Sequence, residues 1–236
     1  MIDCHTHILP RMDDGSRSSD ESIAMLRMER EQNINKVILT PHFYAENESI
    51  ESFLKRRSAS FARLNERIAE LTADGEQLPE LFLGAEVRYF SGMARADDID
   101  KLCIGDTRYM LIEMPFDTWS DGVFRDLEIL QSSGIKPVIA HIERFIMFQK
   151  HTDNLERLWS MGMLIQSNAS FFTDWRTKRT ALKLLKQNRI HLLGSDSHRA
   201  EGQRTPDTAE ALAIIEKKLG CDTVERLKQN GYMVLE

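Results

Sequence analysis

Two histidines one residue apart, His5 and His7, stand in the stretch Ile2-Asp3-Cys4-His5-Thr6-His7 at the start of the sequence. In an extended strand side chains alternate between faces, so Asp3, His5 and His7 share one face and Cys4 takes the other. Two imidazoles on one face can close on a single divalent cation. A pair of polar residues at any strand end looks the same, and only partners later in the chain can complete such a site. Partners recur in one setting, at the end of a short apolar run. Val37-Ile38-Leu39-Thr40-Pro41 leads into His42, Leu81-Phe82-Leu83-Gly84-Ala85 into Glu86, and Tyr109-Met110-Leu111-Ile112 into Glu113. Pro137-Val138-Ile139-Ala140 leads into His141, and Ile190 to Ser195 into Asp196 and His198, while Asp14 lies in the turn-rich loop after the first run.

Helical segments separate these runs. Ser18 and Glu21 form a capping box ahead of Ile23, Met25, Leu26 and Met28. Leu54, Phe61, Leu64, Ile68 and Leu71 form a core-facing stripe at helical spacing. Further helices are predicted over 121–131, 155–161, 177–187 and 206–219, the last followed by a short tail, and Met163 to Asn168 reads as one more strand. Seven strands alternating mostly with helices, without a Gly-rich nucleotide loop, predict an α/β protein with a parallel sheet closed or nearly closed into a barrel. Barrel active sites lie at the C-terminal ends of the strands, where His5, His7, His42, Glu86, Glu113, His141, Asp196 and His198 all fall. The length of 236 residues suits one barrel of about 250, so residues 1–236 are expected to form a single domain.

Bulk properties narrow the function. The 42% hydrophobic residues suffice for a sizeable core, and the 29% charged residues fit a soluble globular protein. A net charge of −6 gives no general attraction to nucleic acid or anionic lipid. The apolar runs fall far short of the roughly 18 residues of a membrane span, and a ligand strand at the extreme N-terminus leaves no room for a signal peptide, so a cytoplasmic location is expected. Cys4, Cys103 and Cys221 are widely separated and never paired as C-x-x-C, which makes them small buried hydrophobes rather than disulfides or thiolate ligands.

Five of the seven histidines fall at strand ends. His151 lies in a polar loop, and His191 has opposite parity to Asp196 and His198, so both are assigned to surface or packing. Five imidazoles and three acids in one mouth, with Asp14 close by, would suffer desolvation and mutual repulsion without cations. A metal site of nitrogen and oxygen ligands follows, suited to Mn, Fe or Zn.

The ordered set Asp3-Cys4-His5-Thr6-His7, Thr40-Pro41-His42, Gly84-Ala85-Glu86, Ala140-His141-Ile142-Glu143-Arg144 and Ser195-Asp196-Ser197-His198 resembles the polymerase and histidinol phosphatase (PHP) superfamily. Within it, the short chain, the Asp13-Asp14-Gly15 loop, the strand ending at Glu113 and the residues around His141 are most similar to bacterial tyrosine-protein phosphatases of capsule and exopolysaccharide operons, the CpsB/YwqE type. The resemblance implies a distorted seven-stranded (β/α)7 TIM-like barrel of PHP type holding three divalent metal ions, Mn first. It places His5, His7, Glu86 and Asp196 on the first metal, a bridging Glu86 with Glu113 and His141 on the second, and Asp14, His42 and His198 on the third. Arg144 and, through a looser Arg-x-Pro match, Arg204 correspond to phosphate-contacting arginines. Asp3 is left as a carboxylate that could orient an imidazole.

The implied chemistry is phosphomonoester hydrolysis by a metal-bridging hydroxide in line with the leaving oxygen, with the arginines stabilising charge on the phosphoryl group. A phenol, with a pKa of about 10, leaves more readily than an alcohol. Cysteine-based phosphatases need an Arg at a fixed short spacing after the Cys, but the corresponding positions after Cys4, Cys103 and Cys221 hold Pro10, Tyr109 and Leu227. The partner implied by resemblance is a phosphotyrosine protein, the cytoplasmic tail of a polysaccharide-export tyrosine kinase. The alternatives are a small-metabolite phosphatase such as histidinol phosphatase, using the same metals, and a metal-containing phosphotyrosine-binding module without turnover. A nuclease is disfavoured because no basic stripe is visible. Oligomer formation is left open.

Overall fold

The structure is a computed structural model describing residues 1–236. Its short apolar runs pair as parallel strands. β1 (Ile2–Thr6), β2 (Lys36–Leu39) and a third run at Glu80–Leu83 (β4) lie in that order in one sheet. The segment His42–Phe43 (β3) starts a second sheet, continued in order by β5 (Glu86–Arg88), β6 (Tyr109–Glu113), β7 (Lys136–Ile139), β8 (Leu164–Asn168) and β9 (Leu192–Gly194). Helices α1 (Ser19–Glu31), α2 (Ile50–Ala73), α3 (Asp121–Ser132), α4 (Asn154–Ser160), α5 (Ser170–Thr173) and α6 (Lys178–Lys186) fill the connections, and α7 (Thr208–Leu219) and α8 (Cys221–Met233) follow the last strand. The ends of the strand series meet: His7 donates its backbone N–H to Ser197 O at 2.9 Å, and Asp196 donates to His5 O at 2.8 Å. The result is an α/β fold around a curled parallel sheet. No helix is long and apolar enough to cross a membrane.

Two expected strands are broken. The run into His42 stops at Leu39 and resumes at His42, because Pro41 has no N–H to donate and Thr40 uses its side chain, whose hydroxyl accepts from Thr6 N–H at 3.1 Å. The run into Glu86 breaks at Gly84-Ala85, where the Gly84 carbonyl accepts from Arg57 of α2 at 2.7 Å. Strand β7 likewise ends at Ile139, and His141 enters a single 3₁₀ turn, Ile142–Arg144. β9 is only three residues long, so Asp196 and His198 belong to the loop that follows it.

The expected short tail is instead helix α8. Gly231 made it hard to read as helix. A Cβ there would lie 3.4 Å from Ile2 Cβ and 3.5 Å from Cys4 Sγ, so glycine lets α8 approach β1. Ile2, Cys4, Ile38, Leu111, Val138 and Leu192 meet Val234 in a small buried apolar cluster, separate from the larger one that includes the apolar residues of α1 to α7. Cys4 and Cys103 are buried as expected, whereas Cys221 is exposed at the first position of α8. The stripe on α2 faces inward, with Leu64 buried and Leu54, Phe61, Ile68 and Leu71 packed around it. The capping box is half formed: Ser18 Oγ accepts from Glu21 N–H at 3.1 Å, while the Glu21 carboxylate accepts from Arg17 N–H.

Contact between β1 and β9 is close enough to exclude a methyl group. A Cβ on Gly194 would stand 2.7 Å from His5 Cβ and 3.0 Å from His5 N. Gly194→Ala is expected to lower the free energy of urea unfolding by about 1–3 kcal/mol through this overpacking. An unfolding curve identical to that of the parent protein would mean that the two strands do not meet this closely.

Candidate metal centre

All nine candidate ligands gather in one mouth, most at the C-terminal ends of strands, while His42 and Glu86 open the short β3 and β5. His5 lies within β1 and His7 just beyond it, where its carbonyl accepts from Ser16 N–H at 2.9 Å. Gly15 is required beneath that carbonyl, since a Cβ would come within 2.2 Å of His7 O. The tight turn brings the neighbouring Asp14 to the mouth, with its carboxylate 3.5 Å from His42 Nε2 and 3.3 Å from His198 Nε2. His42 and Glu86 are register partners on β3 and β5. Glu113 ends β6, and His141 and Asp196 both have positive φ, at 29° and 54°, in the turns that follow β7 and β9. Such conformations are unfavourable for side chains other than glycine and mark both turns as strained.

Glu86 lies at the centre. Its Oε2 is 3.3 Å from both His5 Nε2 and His7 Nε2 and 2.8 Å from His42 Nδ1, and its Oε1 is 2.6 Å from His141 Nε2. His141 Nε2 is also 3.5 Å from Glu113. Asp196 Oδ1 faces His7 and His5 at 3.4 and 3.7 Å. Donor atoms group as His5, His7 and Asp196, as His7, Asp14, His42 and His198, and as His42, Glu86 and Glu113, each set lying within 4.8 Å. Relative to the expected ligand sets, His7 and His42 each belong to two groups, and His141 reaches the third group through Glu86.

The chemistry of this donor set fits a divalent cation. His42 Nδ1, Glu86 Oε2, His141 Nδ1 and His198 Nε2 are buried without a hydrogen-bond partner. His5 Nε2 and His7 Nε2 face each other at 3.2 Å, a contact in which at most one proton fits well but both lone pairs can converge on a cation. Electrostatics point the same way. Burial alone would raise Glu86 and Asp196, yet the imidazoles beside them, His5 and His42 for Glu86 and His5 and His7 for Asp196, hold both well below the usual carboxylate range. Burial opposes charge on His42, but Glu86 and Asp14 raise its pKa to about 9. His198 is pushed down to about 3 by burial and by His7. These carboxylates demand positive charge, which protons or metal cations can supply.

Several supporting residues escaped the sequence reading. Asp13 accepts from the His7 ring at Nδ1 (2.8 Å), from His42 N–H (2.9 Å) and from Gly15 N–H (2.8 Å), so one carboxylate orients two candidate ligands and their loop. On β8, which carries no candidate ligand, Gln166 Oε1 accepts from His141 N–H at 2.6 Å and lies 3.2 Å from His5 Nδ1. Asn168 accepts from Gln166 and donates to Asp196 Oδ2 at 2.8 Å. The even spacing of Gln166 and Asn168 on a strand was the available signal. Asp3 does not orient an imidazole: its carboxylate accepts from the backbone N–H groups of His5 and Ser195. His191 accepts from Ile165 N–H, a packing role as expected, and His151 is exposed. Arg144 and Arg204 both donate to Asp196, Arg144 to Oδ2 and Arg204 to Oδ1, the latter at 2.7 Å.

Fold and donor set together define an α/β protein whose candidate metal ligands cluster around the ends of its strands. The chain belongs to the CpsB/CapC family of capsular polysaccharide synthesis, whose model matches residues 1–236. It is 34% identical to the tyrosine-protein phosphatase YwqE of Bacillus subtilis, across all of this chain and 91% of that protein. It is 28% identical to the tyrosine-protein phosphatase CpsB of Streptococcus pneumoniae, across 96% of this chain and 94% of that one. In structure it matches one chain among the crystal structures of YwqE from Bacillus subtilis and CpsB from Streptococcus pneumoniae, described as unique metal-dependent tyrosine phosphatases, with a TM-score of 0.86 at 31% identity, over 100% of this chain and 94% of the matched one.

Removing the Asp13 carboxylate should loosen His7 and the Asp14 loop together. Asp13→Asn is expected to weaken Mn binding by about 10–100-fold, read by competition with a chelating dye. An unchanged affinity would rule out this orienting role.

Proposed function

We propose that this chain is a metal-dependent protein-tyrosine phosphatase, a phosphomonoesterase without a cysteine nucleophile. The observation that carries the reading is the convergence of Arg144 and Arg204 on Asp196, the carboxylate that also faces His5 and His7. A phosphoryl group entering there would meet two guanidiniums and the cation-binding donors at once. The exposure of Asp14 (63%) and Arg204 (39%) on the rim suits a phosphotyrosine borne by a protein chain better than an enclosed metabolite. The substrate proposed by analogy with the family is the phosphorylated cytoplasmic tail of a polysaccharide-export tyrosine kinase.

Three divalent cations, Mn first, fit the donors: His5, His7, Glu86 and Asp196 for one, Glu86, Glu113 and His141 for another, and Asp14, His42 and His198 for the last. Bound there, they would make hydroxide available near neutral pH and neutralise phosphoryl oxygens. Arg144 and Arg204 bind and orient the phosphoryl oxygens and stabilise the charge that spreads over them. Asp13 and Gln166 hold the imidazoles in place, and Asn168 holds Asp196. Cys4 takes no part: it is buried beside Gly231, and burial pushes its thiol far above its usual pKa. The nine strand segments are read as seven barrel staves, with β2 continued by β3 and β4 by β5, in one domain spanning residues 1–236 and located in the cytoplasm.

Phosphate release from a phosphotyrosine peptide, a phosphoserine peptide and histidinol phosphate, measured after chelation and after Mn readdition, tests the reading. The phosphotyrosine peptide is expected to be preferred, with activity lost on chelation and restored by Mn. Asp196→Ala should reduce turnover by at least about 100-fold, whereas Cys4→Ser should retain most of it. Preference for histidinol phosphate would make this a metabolite phosphatase, and binding of the phosphotyrosine peptide without release would make it a binding module.

A further inference from the structure

Above the candidate ligands the strands carry one more layer of side chains. Tyr44 and Arg88 stand two residues beyond His42 and Glu86 on neighbouring chain segments, on the same face and about 6–7 Å further out. Arg88 pairs in register with Glu113 of β6, and three residues past Glu113 comes Phe116. The Tyr44 ring stacks on the His42 ring at 5.1 Å with 23° between planes. The Arg88 guanidinium lies 5.7 Å from the Tyr44 ring centre and 5.9 Å from the Phe116 ring centre. Phe116 is 39% exposed and is backed by Phe145 at 5.1 Å, whose own ring is 5.5 Å from His141. Two aromatic rings and a guanidinium therefore rise directly from the candidate metal ligands at the mouth.

Arg88 differs from the other arginines around this mouth. Arg144 and Arg204 are paired with Asp196, and Arg56 is paired with Glu48, while the Arg88 side chain makes no ion pair or hydrogen bond. An open cleft of about 640 Å³, lined by Arg88, Phe90, Pro115, Phe116 and Thr118 among others, leads away from this wall and has room for the residues flanking a modified tyrosine.

We infer that Tyr44, Arg88 and Phe116 form the subsite for the aromatic ring of the substrate phosphotyrosine and set the preference for aryl over alkyl phosphates. The inference rests on the proposed phosphatase reading. A phosphoryl group held by Arg144 and Arg204 leaves its ester substituent directed outward, toward the layer these three residues occupy. A phenyl ring there gains aromatic and cation–π contacts that a serine or small alkyl ester cannot make. The flat guanidinium suits this position because it stacks on rings and keeps its charge.

Two measurements on the Mn-loaded protein test it. The first compares kcat/KM for phenyl phosphate and propyl phosphate in the parent protein, Arg88→Ala and Phe116→Ala. The second compares the affinity of phenylphosphonate with that of methylphosphonate by calorimetry, and does not depend on turnover. Each substitution is expected to lower the aryl-to-alkyl ratio roughly tenfold in both measurements. Arg144→Ala should weaken aryl and alkyl compounds in equal proportion. An unchanged ratio in Arg88→Ala and Phe116→Ala would overturn the aryl subsite, whatever the absolute losses. If the parent protein hydrolysed neither ester, the phosphatase reading would fail, and the phosphonate affinities alone would still decide whether this wall selects a ring.

Discussion

Four imidazoles, from His5, His7, His42 and His141, approach one fully buried carboxylate, Glu86. An isolated ion at that depth would cost several kcal/mol. The arrangement is tolerable only where positive charge is shared among the carboxylates, carried by raised imidazoles such as His42 or by bound cations. Much of the surrounding architecture can be understood as holding these groups at this separation against their repulsion. Asp13 orients His7 and its loop, Gln166 spans His141 and His5, and Asn168 restrains Asp196.

The breaks in the strands serve the same geometry. A regular strand through Thr40-Pro41 or Gly84-Ala85 would continue its ladder past the point where the side chain must enter the mouth. Each interruption lets His42 and Glu86 start a new short strand in register with each other. The strained turns at His141 and Asp196 do the equivalent at the other side. Strain of this kind costs of order 1–3 kcal/mol per residue and persists only where neighbouring contacts enforce it. Here those contacts include the hydrogen bonds from β8 and the meeting of β1 with the loop after β9.

The residue pattern marked the positions that the fold brings together in the mouth. Eight of the nine candidate ligands stand at the ends of apolar runs, and Asp14 in the loop after the first, because a parallel α/β sheet concentrates its polar functional residues where strands give way to loops. The parts that escaped notice have physical reasons. Asp13 looked like an ordinary turn acid, and its reach to His7 depends on a loop conformation set by Gly15. Gln166 and Asn168 resembled polar punctuation on a strand without ligands. Helix α8 was hidden by Gly231, which weakens local helix propensity in exchange for close packing on β1. β1 shifts register between Asp3 and Thr6, which no side-chain alternation encodes.

The packing of α8 against β1 also bears on the order in which the molecule can be assembled. The strand carrying the first two donors has its apolar side covered by a helix from the far end of the chain, and its edge is met by the loop carrying Asp196. During synthesis β1 emerges before its neighbours and waits until α8 and the loop after β9 have followed. Such long-range closure slows folding and leaves Ile2 and Cys4 uncovered meanwhile. The donor cluster is therefore completed only when the loop after β9 meets β1.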